Sequence, residues 1–289
     1  MLAITTDSTC DLSSQQLAYS GVRTVPVPLS HMGQTYREED FSPEKLVDLI
    51  QSTGQPATTG RYSAEACAAV FDEALHKADA VIHLASSARI TPHYEVSRRV
   101  ANDFGGRVRV IDTQSVTYGL GLHALHAAYL ADTGATFEEI DSALPRLREK
   151  LLLLCAVEKL DFLKINGRLS GVAAFMGNLL GVRPLLELRE GRLEAAGRAR
   201  GSQAAMRELA KQIRAFSQDV QEPLQLHFLY AVGGAASVED LRAQLAYLHA
   251  KDLGSRPFGP GINANTGPGA VGVAVLPASV NLGVGAAMA

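Results

Sequence analysis

The sequence predicts an α/β protein in two parts, a parallel sheet followed by a mixed sheet. Three observations predict it. Four short apolar strands alternate with helical patterns over the first 130 residues, which is the signature of parallel strands joined by right-handed crossovers. The second half contains two strand-like runs flanking Glu190-Gly191, a hairpin signal that the first half lacks. The change of pattern falls near residue 150, so the expected domains are 1–150 and 151–289.

The elements follow in order. Residues 2–6 read as a strand, and Asp11 or Ser13 could cap a short helix running to Leu17. Residues 23–29 read as a second strand. Ser42 and Pro43 stand at N-cap and N1 of a helix to Ile50. A polar loop over 51–63 leads into a helix over 64–77. Strands at 80–85 and 107–112 alternate with helices at 94–104 and 120–132, and an amphipathic helix over 137–151 bridges to the second part. There a strand is expected at 155–158, an apolar glycine-containing helix at 167–180, and the hairpin at 183–198. Helices at 202–216 and 238–249 alternate with strands at 224–232 and 270–276. A mixed sheet covered by helices on one face accommodates these.

Composition narrows the function. The chain has 289 residues, 47% apolar and 20% charged, with a formal net charge of -3. That balance gives no general attraction to nucleic acid or an anionic membrane surface, and the basic cluster over 183–200 alternates with glutamates as a solvated face does. The first residues enter a strand without a basic and apolar leader, and no apolar run is long enough to span a bilayer. Three cysteines at unrelated spacings, Cys10, Cys67 and Cys155, form neither a zinc pattern nor a disulfide framework. A cytoplasmic location is the expectation. Cys10 lies in a polar stretch where a thiol could react or be a bland small residue.

Chemistry is concentrated in loops. The segment FGPGINANTGPGAVGV over 258–273 places five glycines and two prolines around Asn263, Asn265 and Thr266. It reads as a loop that could hold a polar head group, or as a turn before a strand. Ligands of a parallel sheet collect beyond the carboxyl ends of its strands. The loops there, TDSTCD, ASSARITPHY and DTQSVTYGLG, are rich in hydroxyls, and PATTGRYS adds Thr58, Thr59 and Ser63. Each hydroxyl singly reads as an N-cap; their recurrence suggests a receptor for a carboxylate or phosphate. Arg168, in NGRLSG, is a candidate partner for an anion or an exposed loop arginine. His123 and His126 share a helix face without a third metal ligand. His83 reads as a hydrogen-bonded core histidine. Asp7 and Asp112 follow strands, where magnesium would need a third carboxylate. No nucleotide-binding loop or nucleophile elbow occurs.

These motifs, taken in order, resemble the bacterial DegV family over essentially the whole chain. They are TDSTCDL at 6–12, the FSPEK segment at 41–45, the strand and D-T-Q-S at 111–115, LDFLKINGRLS at 160–170, the segments at 183–191 and 199–201, and the ending at 259–272. The resemblance implies a three-layer α/β/α domain with a four-stranded parallel sheet and a smaller two-layer α/β domain with a mixed sheet. It further implies a non-catalytic protein that binds a long-chain fatty acid, such as palmitate, in a tunnel between them. Some family members carry the acyl chain for bacterial fatty acid kinase, in which a separate ATP-binding subunit phosphorylates the carboxylate. The expected partners are therefore the fatty acid, such a kinase subunit and, transiently, a membrane, with no nucleic acid, no cofactor and no metal.

Carried over residue by residue, the family's TSQPS motif places its threonine at Thr59. Its serine loop, with one insertion, places Thr91 at the binding serine, and its GGR arginine is Arg168. The histidine of H-x-GPG is Asn265, followed by Thr266 and Gly267. An amide can donate a hydrogen bond but cannot carry a proton as imidazole can, so this departure suits lipid binding better than phosphoryl transfer. Phe175, Met176 and Leu179, among small residues in the apolar stretch 172–180, are candidates for the tunnel lining or for ordinary core. A distant kinship with dihydroxyacetone kinases supplies the alternative, a phosphotransferase acting on a small hydroxylated or acyl substrate. Regulation through a protein partner after lipid loading is a third reading.

Overall fold

The computed structural model describes residues 1–169 and 181–283. Strands β1 (Leu2–Asp7), β2 (Arg23–Val25), β6 (Ala80–Ala85) and β7 (Val108–Asp112) form the expected parallel sheet in the order β2-β1-β6-β7. Alternation along the strands decides what covers it. Val25 and Val81 point toward Cys67, Phe71 and Val100 of α3 (Ala64–Leu75) and α4 (His93–Ala101). Ile4, Ile82 and Leu84 point the other way, toward α1 (Ser14–Ser20), α5 (Thr117–Asp132) and α6 (Phe137–Lys150). Ser13 caps α1 in a reciprocal capping box with Gln16, and α1 runs to Ser20.

The second sheet has the order β10-β9-β8-β13-β11-β12. Its strands are β8 (Leu152–Ala156), β9 (Val182–Arg189), β10 (Arg192–Arg200), β11 (Leu224–Tyr230), β12 (Ala250–Pro257) and β13 (Val271–Pro277). Only β11 and β12 pair in parallel, so the sheet is mixed. One face carries Leu154, Phe228, Val271 and Val273, packed against α8 (Ser202–Val220) and α9 (Ala235–Leu245).

Cover on one face alone does not hold. The opposite face, with Leu153, Leu186, Leu229 and Ala274, packs on Tyr118, Leu122 and Leu125 of α5. Helix α5 also sends Leu120, Ala124 and Ala127 into the core under the first sheet. A helix apolar on every side belongs between two layers, and α5 is the layer that both sheets share.

Several local expectations change. Pro26 and Pro28 break the strand expected over 23–29; β2 stays in the first sheet, while β3 (Pro28–His31) joins β4 (Gln34–Arg37) and β5 (Ala57–Thr59) in a small antiparallel sheet that the sequence did not announce. The β3–β4 turn uses Met32 at φ 50° and Gly33 at φ 79°, a primed turn without the usual asparagine or aspartate. Helix α2 (Pro43–Thr53) runs into the expected loop, and β5 occupies more of it. The strand expected at 155–158 begins earlier, at Leu152, and α7 (Asp161–Ile165) replaces irregular chain. Of the helix expected over 167–180, residues 170–180 lie outside the described part, and so do the tunnel candidates Phe175, Met176 and Leu179. Helix α9 stops at Leu245, because the charged stretch after it pairs with β11 as the edge strand β12.

The stretch after Phe258 is not a loop throughout. Helix α10 (Pro260–Thr266) starts with Gly259 at N-cap and Pro260 at N1. Gly267, at φ 72°, ends it by donating to Asn263 O. A Cβ at Gly267 would meet the Phe162 ring at 2.3 Å, so this position demands glycine for space as well as for φ.

Candidate functional site

A cavity opens between the second sheet and the loops at the carboxyl ends of the first. Its floor is a transverse row in which Leu186 opposes Cys155, Cys155 opposes Gly272 and Gly272 opposes Leu229. Opposed residues share a face, and the two central ones are small, so the sheet is hollowed where the next row carries Leu153 and Leu188. The Phe258 ring walls the hollow. It is 2% exposed, and a Cβ added at Gly272 would lie 2.8 Å from its Cζ. Its lining is largely apolar with a few polar groups gathered together, as in small-molecule sites.

The other end of the cavity is polar. Thr59, Thr91, Arg168, Asn265 and Thr266 all line it, although they come from β5, the loop before α4, the turn after α7 and α10. Gly267 is at the end of α10 and packs on Phe162. The hydrogen bonds differ from one polar group to the next. Thr59 Oγ1 accepts from Asn265 Nδ2 at 3.1 Å, and Thr91 Oγ1 accepts from the His93 backbone N–H at 3.4 Å. Neither hydroxyl donates to any described residue, so each has its hydrogen unpaired among the described residues. Thr266 Oγ1 instead donates to Ile262 O at 3.0 Å, inside its own helix. Asn265 Nδ2 also donates to Gly261 O at 2.7 Å, which occupies both amide hydrogens and leaves Oδ1 without a partner among the described residues. Arg168 Nη1 donates to Asn166 O, and burial pulls the guanidinium below its usual pKa.

Beneath the hydroxyls lies a buried ionic group that sequence reasoning missed. The Asp7 carboxylate accepts from the Ser86 N–H at 2.8 Å and from Ser86 Oγ; His93 Nδ1 is at 3.1 Å and His83 Nε2 at 3.5 Å. Burial alone would raise the Asp7 pKa, but the adjacent His93 and hydrogen bonds from both imidazoles hold it far below the carboxylate range. His93 Nε2 faces Gly60 O at 3.2 Å, and its ring stacks on Tyr62 at 4.6 Å. Of this group, Ser86 and His93 line the cavity. His83 is the core histidine expected, bonded to Thr5 at 3.0 Å. Asp7 and Asp112 do not combine as metal ligands: Asp112 accepts from the Ala88 and Gln114 N–H groups as a loop acceptor. The signal for the Asp7 group was present, since TDST and SSARITPH both follow strands, but the partners are 79 and 86 residues apart.

Two further carboxylates hold the start of α10. Asp11 accepts from the Gly259 N–H at 2.8 Å and from Thr117 Oγ1, while Glu38 accepts from the Gly261 N–H at 2.8 Å and from Ser8 Oγ. Burial pushes Asp11 up to about 7, against the lowering effect of the Thr117 and Gly259 hydrogen bonds, and raises Glu38 as well. Asp11 and Thr117 both sit at positive φ, 53° and 51°. For a β-branched threonine that is strained backbone, and the Thr117–Asp11–Gly259 link is what it closes.

The remaining candidates resolve locally. Cys10 is 1% exposed and burial drives its thiol pKa up, which removes the reactive thiol considered for it. Cys155 is pushed up to about 12 by burial. His123 Nδ1 is 2.7 Å from Gly119 O, and burial lowers its pKa to about 4; His126 Nδ1 is 2.7 Å from Asn281 O. Among the described residues no helix is long and apolar enough to cross a membrane.

Comparison with known proteins gives one consistent result. A family model described as "Uncharacterised protein, DegV family" matches residues 1–278. A DegV domain-containing protein of Deinococcus radiodurans is 47% identical, over 98% of this chain and 99% of its own length. A solved structure described as fatty acid binding of a DegV family protein, from Thermus thermophilus, superposes with a TM-score of 0.89 at 35% identity. It covers 96% of this chain and 99% of that one. A stearic-acid-binding protein of Eubacterium ventriosum shares the fold, with a TM-score of 0.85 at 22% identity, over 96% and 98% of the two chains.

Proposed function

We propose that this chain, which belongs to the DegV family, binds one long-chain fatty acid with its tail on the hollowed floor and its carboxylate between Thr59 and Thr91. One observation carries the reading. In the lining of a largely apolar cavity, two hydroxyls have accepted protein donors and retain their own hydrogens. A carboxylate offers only acceptors, so it complements that pair. The fatty acid binding described for the Thermus thermophilus relative supports the same ligand class.

The energetics divide in the same way. Each buried methylene contributes about 0.8 kcal/mol, so a chain of about fourteen supplies roughly 11 kcal/mol before the cost of association. The two hydroxyl contacts, with Arg168 nearby, fix which end stays at the mouth. In this proposal the lobes 1–150 and 151–289 close on the chain, and Asn265, Thr266 and Gly267 shape the head-group end. The protein acts as a non-catalytic carrier in the cytoplasm. It presents the carboxylate to a separate ATP-binding kinase subunit, with no cofactor of its own.

Mass spectrometry of the denatured, purified protein tests the reading. The expected result is one acyl chain per polypeptide, or uptake of one equivalent of ¹³C-carboxyl palmitate by delipidated protein. No recovered chain and no uptake would refute it.

A further inference from the structure

We infer that Asn166 and Asn265 are positioning residues that fix the Thr59 hydroxyl as an oriented hydrogen-bond donor, and so set the preference for an acid head group over a neutral one. The inference rests on the reading that a carboxylate meets Thr59.

The argument begins with Thr59 itself. It is the last residue of the three-residue strand β5, which among the described residues pairs only with β3. So short an edge strand does not hold its final side chain firmly by backbone pairing. Two asparagines from the far half of the chain supply the hold. Asn166 Oδ1 accepts the Thr59 backbone N–H at 3.1 Å, and Asn265 Nδ2 donates to Thr59 Oγ1 at 3.1 Å. The residue is thus fixed at both main chain and side chain.

Each asparagine is fixed in turn. Asn166 is 7% exposed, and its Nδ2 donates to Phe162 O at 3.0 Å, Ala264 O at 3.1 Å and Ala57 O at 3.4 Å. Those carbonyls belong to α7, α10 and β5, so one amide ties together the elements that carry Thr59 and Asn265 and the turn leading to Arg168. The Asn265 amide orientation is settled by Gly261 O at 2.7 Å: the flipped amide would set one carbonyl-type oxygen against another. Nδ2 therefore faces Thr59, and Thr59 can only accept from it. The hydroxyl hydrogen is left to donate toward the cavity.

Orientation of this kind discriminates between ligands. A hydroxyl free to rotate can accept from or donate to a ligand, and suits an alcohol as well as an acid. A hydroxyl already accepting from Asn265 offers a donor, and a donor facing a carboxylate makes the stronger, charge-assisted bond. Both asparagines stand where the family pattern has other residues, glycine in the GGR segment and histidine before GPG.

A double-mutant cycle tests it. Palmitate and 1-hexadecanol are titrated against the delipidated full-length protein by displacement of 1-anilinonaphthalene-8-sulfonate. Thr59→Val is expected to weaken palmitate about 10- to 100-fold and hexadecanol by about threefold or less. Asn265→Ala should weaken palmitate about 5- to 30-fold in the native background and about twofold or less in the Thr59→Val background. Asn166→Ala should follow the same pattern; its melting curve is recorded, and Asn166→Ser, which is small, uncharged and keeps a donor and an acceptor, replaces it if the fold is lost. Equal losses in both backgrounds, or equal losses for acid and alcohol, would overturn the positioning role. Palmitate binding that ignores Thr59→Val would overturn the inference while leaving the fatty acid reading intact. A wild-type protein that binds neither ligand would overturn both.

Discussion

Replacement of Asp11 by asparagine should change how stability depends on pH, and by an amount the structure sets. The native carboxyl is half-buried, accepts from the Gly259 N–H and Thr117 Oγ1, and has its pKa raised from 3.8 to about 7, burial being the largest cause. A pKa raised on folding means that the native state holds the proton more tightly than the unfolded chain does. The associated stability is therefore fully present below about pH 4 and is lost as pH rises to about 7, with no further change above. Three pK units at about 1.4 kcal/mol each bound the effect at about 4 kcal/mol, and partial solvent contact lowers it toward about 2 kcal/mol. Asparagine keeps the acceptor for Gly259 and removes the titration; the Thr117 hydroxyl can rotate to accept from the new amide. Urea midpoints measured from pH 4 to 9 should show the wild type losing about this amount relative to Asp11→Asn, with the variant the more stable at pH 8. Glu38 shifts in the same direction and its charge helps to raise Asp11, so the difference between the two proteins measures Asp11 together with its coupling to Glu38. A variant with the slope of the wild type, or a wild type that gains stability over this range relative to it, would refute the reasoning.

Three other outcomes are expected. Asp7→Asn removes the anion between His83 and His93, and should destabilise the fold by about 3–5 kcal/mol at pH 7 in urea unfolding; it should also flatten the loss of stability below pH 4 that a strongly lowered Asp7 pKa imposes on the wild type. Across saturated acids from ten to sixteen carbons, calorimetry should show affinity rising about fourfold per methylene until the floor is filled. Gly272→Ala drives a methyl against the Phe258 ring; it should shift that plateau to shorter chains, and an unchanged chain-length profile would show that the hollow is not where the tail lies.

The local pattern was legible where the physics is local. Apolar runs of strand length, Ser13 and Ser42 as caps, and Glu190-Gly191 as a turn each act within a few residues, and they sufficed for the parallel sheet and the hairpin. The three-stranded sheet escaped because its strands are three or four residues long and its turn is Met-Gly. Helix α10 escaped because glycine, proline and asparagine weaken the helical signal; Asp11 and Glu38, far away in sequence, secure its first amides.

The chain alone suggested the α/β class, the hydroxyl-rich loops, Arg168 and Asn265, and its resemblance to the DegV family singled out Thr59 and Thr91. Only the tertiary structure decided that these line one cavity, that α5 serves both sheets, and which hydroxyls keep a hydrogen to offer. The reason is distance along the chain. Asn265 and Thr59 are 206 residues apart, Gly259 and Asp11 are 248 apart, and a hydrogen bond between such positions leaves no periodicity for a sequence to display.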